Sequence, residues 1–198
     1  MAMRVKAMMT PRLCLEIPKR SDAPALLAYA LRNQAFQAPF SPPPPPLWDT
    51  LSNARRRQRQ YQEQLRDGTA YRFWFRMLSD PMGPLIGAAS LTNIVLGVRR
   101  ACSLGYHLDW EHQGRGLMHE ALKPIIRFAF DELQLNRIEA SYLPENARSA
   151  RVLQRLGFQI EGLGRRYTFI NGEFRDHVLT ALLNDQLGNA TELCTPKL

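Results

Sequence analysis

Leu104-Gly105-Tyr106-His107-Leu108-Asp109-Trp110-Glu111-His112-Gln113-Gly114-Arg115-Gly116-Leu117-Met118-His119-Glu120-Ala121 is the stretch on which the fold turns. Its first third is strand-like. From Leu117 onward, Leu117, Ala121, Leu122, Ile125, Phe128 and Leu133 recur at helical spacing. Between the two, Gly114 and Gly116 allow the backbone to come close to an anion, because no Cβ intervenes. The free N–H groups of the helix start, with the positive end of its dipole, suit phosphate. Arg115 adds charge inside the loop. His119 stands where a dinucleotide fingerprint has its third glycine, and no Lys-Ser/Thr follows as in a P-loop. The expected ligand is therefore phosphorylated but is neither NAD nor ATP.

Outward from this segment, two strands precede it, over Tyr71 to Leu78 and Leu85 to Val95, and Ala101 to Leu108 is the strand that enters the loop. Earlier, Leu13, Leu15 and Ile17 alternate as a strand. Ser21 and Asp22 are placed to cap a helix with apolar Leu26, Leu27, Ala30 and Leu31. Ser41 to Pro46 holds five prolines and reads as a stiff connector. A helix over Leu47 to Asp67 follows, with Leu51, Ala54, Tyr61 and Leu65 on one face and Arg55, Arg56, Arg57, Arg59 and Arg66 on the other. Downstream, Pro124 should kink the helix that starts at Leu117. Ile138 to Leu143 is a strand and Ala147 to Leu156 a helix ended by Gly157. Asn171-Gly172 predicts a tight hairpin between Phe158–Ile170 and Glu173–Leu182.

Composition sets the outer bounds. The chain has 198 residues, 45% hydrophobic and 22% charged, enough for one domain with a proper core, which excludes general disorder. Lys plus Arg outnumber Asp plus Glu by 26 to 18, a formal charge of +8, which points to an acidic partner. Three cysteines far apart (Cys14, Cys102, Cys194) make no disulfide framework, and the four histidines form no metal-binding spacing, so no metal is expected. Met1 to Thr10 has no continuous apolar run and no stretch reaches the roughly 18 apolar residues of a membrane span, so neither signal peptide nor membrane partner is expected. We expect a cytoplasmic protein.

In the second informative stretch, Asn146-Ala147-Arg148-Ser149, Asn146 and Ser149 lie three apart on one face of a helix start. Asn146 is either an N-cap alone, or both polar groups face a ligand. Among groups able to move protons, Glu139, Glu120 and Glu145 are candidate bases, and Tyr142 and Tyr167 are candidate acids.

The order of strand, glycine loop, helix, strand and N-x-x-S helix ending in Leu156-Gly157-Phe158 resembles the GNAT family of acetyl-CoA N-acetyltransferases. The family's loop reads Gln/Arg-x-x-Gly-x-Gly/Ala, here Gln113-x-x-Gly116-x-Met118, with Met118 as the departure. Thr10 to Leu13, Leu85-Ile86-Gly87, Leu143-Pro144-x-Asn146 and Asn171-Gly172-x-x-Arg175-Asp176-His177 narrow the resemblance to the RimJ/RimL branch. It implies a mixed, mostly antiparallel seven-stranded sheet with about four helices. It also implies one domain over residues 11–183, between an N-terminal extension (1–10) and a flexible tail (184–198).

The resemblance further implies direct acetyl transfer in a ternary complex with acetyl-CoA. The acceptor would be the N-terminal α-amine, an alanine, of a ribosomal protein. The coenzyme would contact Tyr106, His107 and Leu108 along the strand, then Gln113, Gly114, Arg115, Gly116, Leu117 and Met118 in the loop. Asn146 would bond the pantetheine arm and Ser149 would protonate the leaving sulfur; sequence alone supplies Tyr142 as a rival acid and Glu139 as a candidate base. Arg55, Arg56, Arg57 and Arg59 would serve the small ribosomal subunit, and the protein would act as a monomer or homodimer. Two other readings fit the same residues: a GNAT acetylating a small amine such as an antibiotic or polyamine, and a ribosome-associated binding or assembly factor on this fold.

Overall fold

Asn171 and Gly172 take φ of 51° and 86° and turn the chain in two residues, pairing Ile170 with Glu173 across β7 (Gln159–Ile170) and β8 (Glu173–Leu183). This is the hairpin that an Asn-Gly between strand-like runs demands, because both turn residues need positive φ. The computed structural model describes residues 6–187.

The other strands are β1 (Met8–Met9), β2 (Leu13–Glu16), β3 (Tyr71–Met77), β4 (Gly87–Val95), β5 (Ala101–Leu108) and β6 (Arg137–Tyr142). They form one sheet in the order β1-β2-β3-β4-β5-β6-β8-β7. It has eight strands where seven were expected. The extra one is Met8–Met9, a two-residue edge within the expected N-terminal extension, too short to show a pattern in sequence. Of the expected tail, Asp185–Leu187 forms a short 3-10 turn, and residues 188–198 lie outside the described part.

All neighbouring strands are antiparallel except β5 and β6. Between that parallel pair runs α3 (Leu117–Arg127), the crossover that parallel strands require. The remaining helices are α1 (Ala23–Gln37), α2 (Leu51–Arg66) and α4 (Ala147–Arg155).

Alternation along β3 decides which helix packs where. Tyr71, Phe73 and Phe75 are buried on one face, where Phe128, just beyond α3, stacks edge-on against Tyr71 and Phe73 at 5.1 and 5.7 Å. Arg72 and Trp74 point the other way. Trp74 packs on Tyr29 of α1, and Arg72 lies 4.0 Å from the Tyr61 ring of α2. So α3 and α4 cover one face and α1 and α2 the other.

Two helices differ from their expected faces. In α1 the buried side is Ala23, Leu26, Tyr29 and Asn33, while Leu31 stays 47% exposed. Tyr29 and Asn33 tolerate burial because each has hydrogen-bond partners, described below. In α2 the buried residues are Asn53, Ala54 and Gln58. Gln58 and Gln62 donate to the main-chain carbonyls of Lys19 and Pro18, so this helix docks partly through amides. Pro124 stands within α3, and the helix then widens into a π turn over Phe128–Glu132, closed by Leu133 N–H on the Phe128 carbonyl at 3.1 Å. The α-helix thus runs on through the proline, and its change of winding comes at Phe128.

Leu156-Gly157-Phe158 ends α4 in a left-handed cap. Gly157 has φ of 90°, and Phe158 N–H reaches back to the Leu153 carbonyl at 3.1 Å. Phe73 is fully buried at the centre of the core. Replacing it by alanine should remove about 3–5 kcal/mol of stability, read as a lower denaturant midpoint with little change in slope.

Candidate active site

β5 and β6 pair only through Ala101–Ser103 with Arg137–Glu139; both strands then continue, to Leu108 and Tyr142, without pairing. The wedge so formed is a cavity of about 250 Å³ lined by Leu104 to Leu108, Ser141 to Leu143, and Asn146, Ser149 and Val152 of the α4 end. Main-chain groups of β5 that β6 leaves unpaired can bond an extended ligand as if it were another strand. Phe36 of α1 and Arg148 of α4 face each other across the mouth, with the guanidinium 5.3 Å from the ring.

At the wide end of the wedge is the glycine loop. Gly114 and Gly116 both have φ of 74°, a conformation that explains two glycines in three positions. Gly116 is the N-cap of α3, so the N–H groups of Leu117, Met118 and His119 have no partner within the helix. Gln113 folds back, its Nε2 donating to the Leu108 carbonyl at 2.9 Å, and fixes the loop to the strand end. A second cavity of about 310 Å³ runs from this loop to α4, where Arg148, Arg151 and Arg155 line it. The loop thus shares its cavity with three arginines of one helix. Met118 keeps its side chain in the core while its N–H stays in the first turn, so the departure from the family pattern leaves the loop's backbone donors in place.

Arg115, expected to add charge here, does not line that cavity, and its carbonyl accepts from Arg12 Nη1 at 2.9 Å. Arg12 also grips Glu120 through Nε at 2.6 Å and through its own N–H at 2.8 Å, and Thr10 Oγ1 adds a third bond at 2.6 Å. Burial alone would raise the Glu120 carboxyl. Those hydrogen bonds and the Arg12 charge outweigh it and hold the group below its ordinary value.

Ser149 and Tyr106 meet inside the wedge, Oγ to Oη at 2.8 Å. Burial pushes the Tyr106 phenol up to about 12, against the opposing hydrogen bond from Ser149, so the phenol keeps its proton. Asn146 caps α4 by accepting the Ser149 N–H at 3.1 Å, and it also lines the wedge. Both readings of Asn146 are therefore compatible with its place. Tyr142 lines the wedge too, whereas Tyr167 does not.

The carboxylates expected as bases sit elsewhere. Glu139 is outside the cavity, bound to Arg99 at 2.8 Å and Arg137 at 3.1 Å, because its strand position falls where β5 and β6 are still paired. Glu139, a candidate base by sequence, thus does not line the cavity. Glu145 is bound to Arg175 at 2.7 Å. His177 is buried, lines the wedge and contacts the Arg175 carbonyl at 3.2 Å through Nδ1.

A further pocket of about 260 Å³ adjoins the wedge on the α1–α2 face, lined by the aromatic rings of Tyr29, Trp48, Tyr61 and Trp74 and by the proline connector. Gln37, Ser41 and His107 border both spaces. Burial lowers the His107 imidazole to about 4, and its Nδ1 lies 2.8 Å from Tyr29 Oη.

Asp109 joins α1 to this region. It is 1% exposed and accepts from Arg32 Nε at 2.7 Å, Asn33 Nδ2 at 3.2 Å and Glu111 N–H at 3.0 Å. Asn33 Oδ1 in turn accepts the Trp110 N–H at 3.0 Å. No sequence signal marked Asp109 as more than a strand-end residue, since its partners on α1 are 76 and 77 positions away.

Comparison with known proteins agrees with this architecture. The acetyltransferase (GNAT) domain model matches residues 12–159. The ribosomal protein uS5-alanine N-acetyltransferase of Escherichia coli is 38% identical over 173 residues, covering 87% of this chain and 88% of that protein. The ribosomal-protein-S5-alanine acetyltransferase of Vibrio fischeri superposes with a TM-score of 0.88 at 33% identity, covering 92% of this chain and 99% of the other. Mycobacterium smegmatis RimJ in complex with CoA-disulfide gives a TM-score of 0.83 at 26% identity, over 92% and 88%. The chain belongs to the GNAT family. It is an acetyltransferase of the RimJ/RimL type, and acetyl-CoA is its co-substrate. The residues fit that group: a strand edge for an amide-bearing arm, a loop of free N–H groups and three arginines for phosphates.

Among the described residues no helix is long and apolar enough to cross a membrane, and no group of side chains is arranged to hold a metal.

Asp109→Asn should cost about 3 kcal/mol at pH 7, because the Arg32 charge loses its buried partner. Burial would raise the Asp109 carboxyl, but the bonds from Asn33, Glu111 N–H and Arg32 and the Arg32 charge hold it below its ordinary value. A carboxyl lowered on folding stabilises above its unfolded value of roughly 3.9 and loses that contribution as pH falls through the folded value. The gap between wild type and variant should therefore be full at neutral pH and close below about pH 4, checked by urea unfolding at a series of pH values.

Proposed function

We propose that the protein acetylates the N-terminal α-amine of a ribosomal protein, alanine being the first residue, with Ser149 returning the proton to the departing sulfur. The observation that carries the reading is that neither the wedge nor the adjoining aromatic pocket has an Asp or Glu in its wall. Such walls attract no polycation and offer no carboxylate to strip a proton from a strongly basic amine. An α-amine has a pKa near 7.7–8.0, so about a tenth is neutral at pH 7; an alkylamine near 10.4 is neutral to about one part in two thousand. The site thus favours an acceptor that needs little help to lose its proton. The names of the relatives above point to the same acceptor class.

In this reading β5 orients the acyl donor along its unpaired edge, and the N–H groups at the start of α3 with Arg148, Arg151 and Arg155 hold its phosphates. Ser149 Oγ gives its proton to the departing sulfur and takes up the one the acceptor nitrogen loses as the C–S bond breaks and the amide forms, so the hydroxyl is restored; Tyr106, which keeps its own proton at working pH, holds it in place. The single domain over 11–183 and a cytoplasmic setting belong to the same proposal.

The arginines of α2 form a second element. Arg55, Arg56 and Arg59 are exposed, while Arg57 turns to the connector and donates to the Trp48 carbonyl at 3.5 Å. The exposed three suit the phosphate-rich surface of the small ribosomal subunit.

Thiol release from acetyl-CoA is the deciding assay, with peptides beginning Ala, Ser or Met beside a panel of small amines. Turnover restricted to Ala- or Ser-starting peptides is expected; turnover of the small amines alone overturns the reading. Ser149→Ala should lower kcat by about a hundredfold while KM for acetyl-CoA holds. In the wild type kcat/KM for peptide should climb about tenfold per pH unit below 7 and level off above roughly 8.5, following the free amine. Charge reversal at Arg55, Arg56 and Arg59 should depress acetylation of ribosomal particles and spare a free peptide; equal loss on both would refute the docking role.

A further inference from the structure

Three side chains connect α1 to the wall between the wedge and the aromatic pocket. Gln37 Nε2 donates to Tyr29 Oη at 3.0 Å, and Tyr29 Oη lies 2.8 Å from His107 Nδ1. A phenol has one proton to give. Gln37 occupies one lone pair, and among the described residues that proton has no other acceptor within hydrogen-bond distance, so Tyr29 gives it to His107; Nδ1 is then the accepting nitrogen and Nε2 carries the ring's hydrogen. The ring is held in place by Trp74, edge-on to both Tyr29 (5.5 Å, 83°) and His107 (5.8 Å, 67°). Its burial keeps it uncharged at neutral pH. His107 lines both spaces, and with Nδ1 taken up by Tyr29 its Nε2–H is the ring nitrogen left for a ligand there.

Such a donor is matched by a neutral carbonyl oxygen and not by an ammonium, which has only donors. In a peptide the first carbonyl follows the α-amine by one carbon. An amine reaching the wedge from the aromatic side therefore brings that oxygen to the wall that His107 forms. We propose that His107 is a specificity residue for the acceptor, its Nε2–H donating to the carbonyl oxygen of the acceptor's first residue, with Gln37 and Tyr29 as positioning residues that fix its tautomer. This rests on the α-amine acceptor reading and adds what the site recognises: an amine followed by an amide carbonyl, which a simple alkylamine lacks.

The test compares two Ala-starting peptides that differ in one atom, the first carbonyl oxygen or a sulfur in its place, the sulfur being the poorer acceptor. Wild type should prefer the oxygen peptide by about fivefold to tenfold in kcat/KM, the size of one neutral hydrogen bond. His107→Phe should lose that preference, treating the two peptides alike to within twofold. His107→Gln, which restores an N–H at a similar reach, should recover part of it. Should His107→Phe fail to fold, Tyr29→Phe and Gln37→Ala serve in its place, since freeing the tautomer should also shrink the preference. A preference kept in full by the folded variants overturns the assignment. So does a wild type that turns over both peptides without preference, and that result leaves the α-amine reading standing. A wild type that turns over neither peptide overturns both.

Discussion

Parallel strands that stay paired for three residues and then part are the constraint on which this molecule is built. β5 is held on its other side by β4, from Ala101 to Leu108, and β6 is held by β8 along its whole length. Each strand therefore follows its own antiparallel half, and the twist of the sheet drives the halves apart beyond Ser103 and Glu139. The gap is kept by α4, which seats Leu153 in the core and hooks Ser149 onto Tyr106. Without that parting there would be no free strand edge and no cavity between the strands for Tyr106 and Ser149 to line.

Charge is laid out in keeping with this geometry. The surplus of 26 basic over 18 acidic residues is not a uniform coat. One group, Arg148, Arg151 and Arg155, faces the glycine loop from α4. Another, Arg55, Arg56 and Arg59, lies on α2, on the opposite face of the sheet. Several others are consumed locally: Arg12 by Glu120, Arg32 by Asp109, Arg137 by Glu139 and Glu161, Arg175 by Glu145 and Glu173. A net charge read from composition could announce an acidic partner, but only the fold separates arginines that are free to meet one from arginines already engaged.

The same division explains what was legible in the sequence. Local signals held: the Asn171-Gly172 turn, the two left-handed glycines of the loop, the Leu156-Gly157-Phe158 cap and the run of strands around them all depend on backbone chemistry within a few residues. Polar burial did not show itself. Tyr29, Asn33 and Gln58 are absent from the apolar faces that periodicity picks out, and each is buried because a partner comes from far along the chain or from a distant main-chain carbonyl. Nor did the ion pairs of the candidate bases show themselves. Glu139, Glu120 and Glu145 were as plausible as any carboxylate on paper, and each has an arginine whose approach only the tertiary structure provides. Thr10 to Leu13 was quoted for its resemblance alone, and the structure supplies its physics: Thr10 and Arg12 are the clasp on Glu120.

That clasp ties the coenzyme loop to the first edge of the sheet. Arg12 holds Glu120 of α3 and the Arg115 carbonyl together, so the loop is organised by residues whose own place depends on β2 staying seated beside β3. The ordering cost of the loop is met when the chain folds and not when the ligand arrives. By reciprocity, whatever affinity the ordered loop lends the ligand is returned as stability to that edge. The outermost strands, which in a bare sheet would be the first to fray, are thereby made part of the glycine loop's own footing, and any ligand that saturates the ordered loop doubles as a brace for the N-terminal margin of the fold.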